Sequence, residues 1–228
     1  MVKKSALVIL SGGLDSTTAL YMSQNDRKTV KTITFDYGQK SASKEINAAK
    51  RISHSLNIPH EVFSLNWLSA ITKTALVNTQ ADIPNPTLSD LDQFKQSSLN
   101  AQKVWVPNRN GLFLNIAATI AEAQSIDVIM TGFNAEEAVT FPDNSSEFLK
   151  TANDFFSYST LSKVVVESPT LHMTKNQIAS KAKDLAIPFS SLWFCYEGQE
   201  TPCRACESCQ RNFRAFQQVG IADPFKSS

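Results

Sequence analysis

The sequence has no surplus of charge of either sign: 22 lysines and arginines stand against 21 aspartates and glutamates, a formal net charge of +1. Without a basic footprint no field gathers a long polyanion, which argues against a long nucleic acid as an obligatory ligand. Long apolar runs are missing as well. Lys3 and Lys4 precede one, but Ala6 to Leu10 is only five residues, too short for a secretory signal or a membrane span, so a cytoplasmic protein with no membrane partner is expected. Cysteine is absent until Cys195, and all four lie between there and Cys209; that distribution suits a reducing compartment and a metal rather than a disulfide framework. The three histidines, His54, His60 and His172, share no ligand or triad spacing and receive no chemical role. The chain shows no internal repeat and no low-complexity tract.

What is present alternates. Runs rich in β-branched and aromatic residues at Ala6–Leu10, Val30–Phe35, Glu61–Leu65, Asp127–Thr131 and Lys163–Glu167 predict strands. Between them, apolar residues recur at helical steps in Ser43–Leu56 (Ile46, Ala49, Ile52, Leu56) and again over Leu112, Phe113, Ile116, Ala117, Ile120 and Ala121. Thr174-Lys175-Asn176-Gln177 has the spacing of a reciprocal capping box, which starts a further helix running toward Pro188. The order predicts an α/β fold, a doubly wound, mostly parallel five-stranded sheet with ligands at the carboxyl ends of the strands. With 228 residues, one main domain over 1–190 and a small C-terminal segment over 191–228 are expected. Asn78 to Gln102 is polar, holds Pro84 and Pro86, lacks periodicity, and reads as a long surface excursion or a lid.

Glycine is scarce, seven in all, yet two are adjacent in Val8-Ile-Leu-Ser-Gly-Gly-Leu-Asp-Ser16. Strand, Ser11-Gly12-Gly13, then helix is the layout of an anion site, because glycine lets backbone amides approach closely and a helix start leaves amides unpaired. Asp15 beside a phosphate makes sense if Mg²⁺ lies between carboxylate and phosphate oxygens. No lysine follows as in a Walker A loop, and the three-glycine dinucleotide fingerprint is absent. Downstream, Cys195, Cys203, Cys206 and Cys209 supply four thiolates that close a tetrahedral shell, which points to structural Zn²⁺ ahead of an iron–sulfur cluster; Pro202 precedes Cys203, whereas the ferredoxin-type run ends in Cys-Pro. Zinc bound there supplies the energy to fold a tail with little core of its own, and Arg204, Arg211 and Arg214 are placed to offset its negative charge.

The string SGGLDS resembles the signature of the PP-loop ATP pyrophosphatases. Together with Phe35-Asp36-Tyr37-Gly38-Gln39, Val106-Pro107-x-Arg109-Asn110, Gly132 followed by Phe141-Pro142-Asp143, Thr174-Lys175, and Cys195-Tyr196-x-Gly198 before the last cysteines, it is similar over nearly the whole chain to the 7-cyano-7-deazaguanine synthase family. The resemblance implies an adenine nucleotide alpha hydrolase-like fold, a carbon–nitrogen ligase that forms AMP and pyrophosphate, and a homodimer. It implies ATP, ammonia and 7-carboxy-7-deazaguanine as substrates, converted through an acyl-adenylate, an amide and an imidoyl-adenylate to the nitrile. By the same resemblance, ATP is held along Leu10, Ser11, Gly12, Gly13, Leu14, Asp15, Ser16, Thr17, Thr18, Ala19 and Leu20, with Asp36 at the end of the second strand. Asp15, Ser16, Arg109 and Lys175 are the implied catalytic set, and Tyr37, Gln39, Glu137 and Asp143 the substrate contacts.

The chain departs from the family pattern at several places. Asn108 and Arg204 stand where glycine is usual, Lys40-Ser41 where a basic residue and histidine are usual, and Glu136-Glu137 where a single aspartate is usual. The common YPDCR reads Phe141-Pro142-Asp143-Asn144-Ser145, so an arginine that would face the deazapurine acid is missing. Glu137 or Asp143 is expected to pair with the guanine-like N1–H and 2-amino donors. The alternatives are a related ligase that stops at the amide, a PP-loop tRNA-modifying enzyme, and a zinc-stapled nucleotide-binding protein without turnover.

Overall fold

Ala6, Leu7 and Val8 have no exposed surface, and a strand covered on both faces reads in sequence as an unbroken apolar string. They form the middle of β1 (Lys4–Ile9) in the computed structural model, which describes residues 3–226. With β2 (Arg27–Asp36), β3 (His60–Ser64), β4 (Val128–Met130) and β5 (Val165–Glu167), it makes a sheet ordered β3-β2-β1-β4-β5 in which every pairing is parallel. The expected doubly wound α/β architecture is therefore present, with all five strands close to their sequence limits.

The helices among the described residues are α1 (Leu14–Ser23), α2 (Ala42–Ser55), α3 (Asn66–Ile71), α4 (Phe94–Val104), α5 (Arg109–Ala123), α6 (Ala135–Ala138), α7 (Ser146–Ser159), α8 (Lys175–Asp184) and α9 (Glu207–Gln218). The predicted capping box opens α8: the Thr174 hydroxyl accepts from the Gln177 amide, and Gln177 Oε1 accepts from the Thr174 amide at 2.8 Å. No helix among the described residues is long and apolar enough to cross a membrane.

One part of the chain differs from expectation. The polar excursion contains α4, which escaped the periodicity test because its buried face is Ser97, Asn100, Ala101 and Val104 while Phe94 and Leu99 point outward. It is also tied down: α9 reaches it through Gln210 Nε2 to Pro86 O (3.0 Å), Arg211 Nη2 to Leu91 O (3.3 Å) and Arg214 to Asp92 (2.9 Å). The tail packs on the main unit. Its helix starts at Glu207, and Phe194 meets Phe213 and Phe216 at ring separations of 5.4 and 5.8 Å. These rings join the buried cluster that contains β1, so the tail shares the main core.

The strand order reverses beside β1, and a crevice opens where the chain leaves the carboxyl ends of β1 and β4. The two exit loops, around Gly12 and Gly132, close on each other there. A Cβ on Gly132 would lie 2.5 Å from the Ser16 amide nitrogen and 2.7 Å from its Cα, so only glycine permits the contact. Gly132→Ala is expected to cost about 1–3 kcal/mol by forcing backbone apart, measurable as a lowered urea midpoint with unchanged slope.

Candidate active site and metal centre

A cavity of about 240 Å³ occupies the crevice. Its floor is the turn after β1. Gly12 takes φ +78°, and a Cβ there would stand 2.7 Å from Ala48 Cβ and 2.8 Å from the Ala49 nitrogen, so glycine lets the turn pass beneath α2. Gly13 caps α1 with no side-chain hydrogen bond, which leaves the first-turn amides for a ligand. The Ser11 and Ser16 hydroxyls converge to 3.1 Å. Of the stretch nominated for ATP, Leu10, Ser11, Gly13, Leu14, Asp15 and Ser16 line the cavity. Thr17, Thr18, Ala19 and Leu20 lie on the buried flank of α1, where Thr18 Oγ1 donates to Leu14 O at 2.7 Å. Asp36 is outside the lining; its Oδ1 accepts from the Gly38 amide at 3.1 Å and closes its own turn.

One wall carries concentrated charge. The Lys175 ammonium, 4% exposed, donates to Asp15 Oδ2 at 2.5 Å and to Glu137 Oε1 at 2.9 Å. Burial disfavours the ammonium, but the two carboxylates outweigh it and hold its pKa above the ordinary value. Burial pushes Asp15 up from 3.8 to about 6, with Lys175 opposing the rise and Glu137 adding to it. Glu137 is half-buried, and Lys175 keeps it below its ordinary value against the cost of desolvation. The neighbouring Glu136 turns away: it accepts from Arg211 Nη1 at 2.7 Å and from the Lys175 backbone amide at 3.1 Å. The doubled acid thus divides into a latch at 136 and a site group at 137.

Arg109, at the start of α5, donates to the Tyr37 hydroxyl at 3.0 Å, and both line the cavity. Gln39 does not. Its amide accepts from the Tyr37 nitrogen (3.0 Å) and donates to Phe35 O (3.2 Å) and Glu45 (3.0 Å), so it holds the end of β2 from behind. Asp143 is likewise outside the lining, where Asn144 takes its place, and Ser145 caps α7 by accepting from the Phe148 amide at 3.1 Å. Burial raises the Asp143 pKa while Arg109 opposes the rise.

The four cysteine sulfurs lie within 4.8 Å of one another. Cys203 and Cys209 sulfurs are 3.9 Å apart, close to the roughly 3.8 Å edge of a tetrahedron with Zn–S bonds of about 2.3 Å. The Cys203 and Cys206 amides donate to the Cys195 and Cys203 sulfurs, each at 3.3 Å, as suits thiolates. This set fits a metal ion. The three nearby arginines have carboxylate partners: Arg204 pairs with Asp223, Arg211 with Glu207 and Glu136, Arg214 with Asp92. The Trp193 amide donates to Gly12 O at 2.9 Å, so the cysteine segment rests on the glycine turn.

A family model described as queuosine biosynthesis protein QueC matches residues 5–220. The chain belongs to that family. Relatives named 7-cyano-7-deazaguanine synthase include one from Desulforamulus reducens, 43% identical over 96% of this chain and 96% of its own length. Another, from Pelotomaculum thermopropionicum, is 45% identical over 95% and 98%, and one from Methanosarcina mazei is 42% identical over 96% and 96%.

Two departures from the QueC pattern have a backbone explanation. Asn108 and Arg204, where glycine is usual, adopt left-handed φ of +52° and +62°; asparagine tolerates that conformation best among the other residues. Sequence reasoning passed over Phe35, Phe113, Tyr196, Ser208 and Asn212, all of which line the cavity. Phe35 and Tyr196 stood inside quoted motifs without a role of their own, and nothing in the spacing marked the other three as site residues. The Asp15 shift has a consequence in this QueC chain. A carboxyl raised in the folded state contributes stability that is fully present below pH 3.8 and is lost as pH rises through about 6. Asp15→Asn, unable to ionise, should melt higher than the unsubstituted chain near pH 7.5 and alike near pH 4, read by thermal scans across that range.

Proposed function

We propose that this chain converts 7-carboxy-7-deazaguanine and ammonia to 7-cyano-7-deazaguanine at the expense of two ATP. The observation that carries the reading is one cavity that joins the Ser11–Ser16 turn to Arg109 and to the Lys175–Asp15–Glu137 cluster. The uncapped amides of α1 and the paired serines suit a pyrophosphate that gains charge as it leaves. A carboxylate oxygen attacks the α-phosphorus, the bond to the β-phosphate oxygen breaks, and Arg109 faces the charge that develops. Ammonia then adds to the acyl carbon and AMP leaves, giving the amide and releasing a proton. The amide oxygen repeats the attack on a second ATP. Loss of AMP and a proton from the imidoyl-adenylate leaves the C≡N bond.

Asp15 Oδ1 is buried with no hydrogen-bond partner among the described residues, an arrangement that suits Mg²⁺. That ion, when bound with ATP, supplies positive charge to the phosphate oxygens. Lys175 positions the two carboxylates and opposes the cost of their desolvation, and its second partner Glu137 presents an acceptor to the deazapurine. The four cysteines would hold structural Zn²⁺ and fasten residues 191–228 onto a nucleotide-binding unit formed by residues 1–190. A homodimer belongs to the same reading; exposed Phe155, Tyr158 and Leu161 offer an apolar face for it.

Purified protein with Mg-ATP, ammonium and the acid should release AMP and pyrophosphate and form the nitrile by mass. ADP with orthophosphate, or no nucleotide cleavage, would overturn the reading, while accumulation of amide alone would assign the amide-forming alternative. Arg109→Ala should lower kcat/KM by about a hundredfold or more. Native mass spectrometry should find a dimer with one zinc per chain; iron in its place, or a monomer, would remove that part.

A further inference from the structure

The cavity has a narrow annex of about 10 Å³, walled in part by Glu137, Lys175, Tyr196 and Asn212. That is room for one water-sized group. Asn212 lines both the annex and the main cavity and is 2% exposed. Its Nδ2 donates to Ser208 O, one helical turn back, at 2.8 Å and lies 3.5 Å from Ser208 Oγ. This contact sets the orientation of the amide, since reversing it would place oxygen against a carbonyl oxygen. Oδ1 is left buried with no partner among the described residues. A buried amide oxygen without a donor is unfavourable, and the ligand is the natural source of one. Lys175 and Arg211 also wall the annex, but they are engaged by Asp15 and Glu137 and by Glu136 and Glu207, which leaves the Asn212 amide oxygen and the Glu137 carboxylate as its acceptors.

Resting on the function proposed above, we propose that Asn212 determines substrate specificity: its Oδ1 accepts from the exocyclic amine of the deazaguanine ring, seated in the annex, while Glu137 takes the adjacent ring N–H. Two neighbouring acceptors match the two neighbouring donors of a guanine-type edge. Adenine presents an amine beside a bare ring nitrogen, which would set acceptor against acceptor, so ATP is the wrong guest for this corner. A phosphate or a ribose does not fit the volume. Asn212 lies one turn beyond Cys209 on α9, so the cysteine cluster anchors the helix that carries it.

The test compares 7-carboxy-7-deazaguanine with the analogue lacking the exocyclic amine, using the unsubstituted enzyme, Asn212→Ala and the space-filling Asn212→Leu. In the unsubstituted enzyme, loss of the amine should lower kcat/KM at least about tenfold. In both variants the penalty should shrink to about twofold, with KM for ATP unchanged and melting midpoints reporting that the chains are folded. An unsubstituted enzyme indifferent to the amine overturns the assignment, as would be found if the annex held only water. So does an equal penalty in enzyme and variants, or a KM for ATP that rises in step. An unsubstituted enzyme inactive on both acids removes the parent reading and this one with it; an active enzyme with an undiminished penalty in the variants removes this one alone.

Discussion

A single buried ammonium joins three helices at the carboxyl end of the sheet. Lys175 begins α8, Asp15 lies in the first turn of α1, and Glu137 belongs to α6. Taking the ammonium out of water is costly, and removing it would leave two carboxylates facing each other, a loss of up to about 3–5 kcal/mol. The arrangement persists because each group has a counter-charge and because the helix starts fix their positions. Asp15 still ionises with difficulty, as its elevated pKa records. A site holding an acid in that condition is ready for a cation, and the free oxygen on Asp15 has the same meaning.

The second constraint is the close meeting of backbone segments around the cavity. Gly12 slides under α2, Gly132 abuts Ser16, and Trp193 hydrogen-bonds to Gly12 O. Each contact brings a different part of the chain against the same turn, so the geometry of that turn depends on residues more than a hundred positions apart. The cysteine segment takes part in this assembly. Trp193, Phe194, Tyr196, Ser208 and Asn212 all contribute to the cavity wall, and Arg211 couples α9 to Glu136 and the excursion at Leu91. A metal held by the cysteines would therefore stabilise one side of the cavity as well as the tail.

Much of the fold could be read directly because strands with two covered faces leave an unbroken apolar signature, as β1 and β4 do in the middle of this sheet. Helix α4 could not, since it buries Ser97 and Asn100 and turns Phe94 and Leu99 outward. Among the nominated residues, Arg109, Tyr37 and Glu137 line the cavity, and Lys175 lies behind Asp15 and Glu137. Gln39 and Asp143 differ for a common reason: a polar side chain at a strand or turn end has two directions available, and their neighbours draw both away from the cavity. The absent arginine of the FPDNS segment is likewise explained locally, for Ser145 serves as a helix cap.

What the linear order determined was every feature whose partners are near in sequence: the glycine turn, the Thr174–Gln177 cap, the thiol spacing, the alternation of strand and helix. Their physics is short-ranged and survives without knowledge of the rest. Only the tertiary structure decided which of two adjacent glutamates faces the cavity, which carboxylate meets Lys175, and that Asn212 on the cysteine helix turns an unpaired oxygen inward. Those outcomes depend on desolvation and on contacts between segments distant along the chain, and neither is expressed in the identity of a residue or its immediate neighbours.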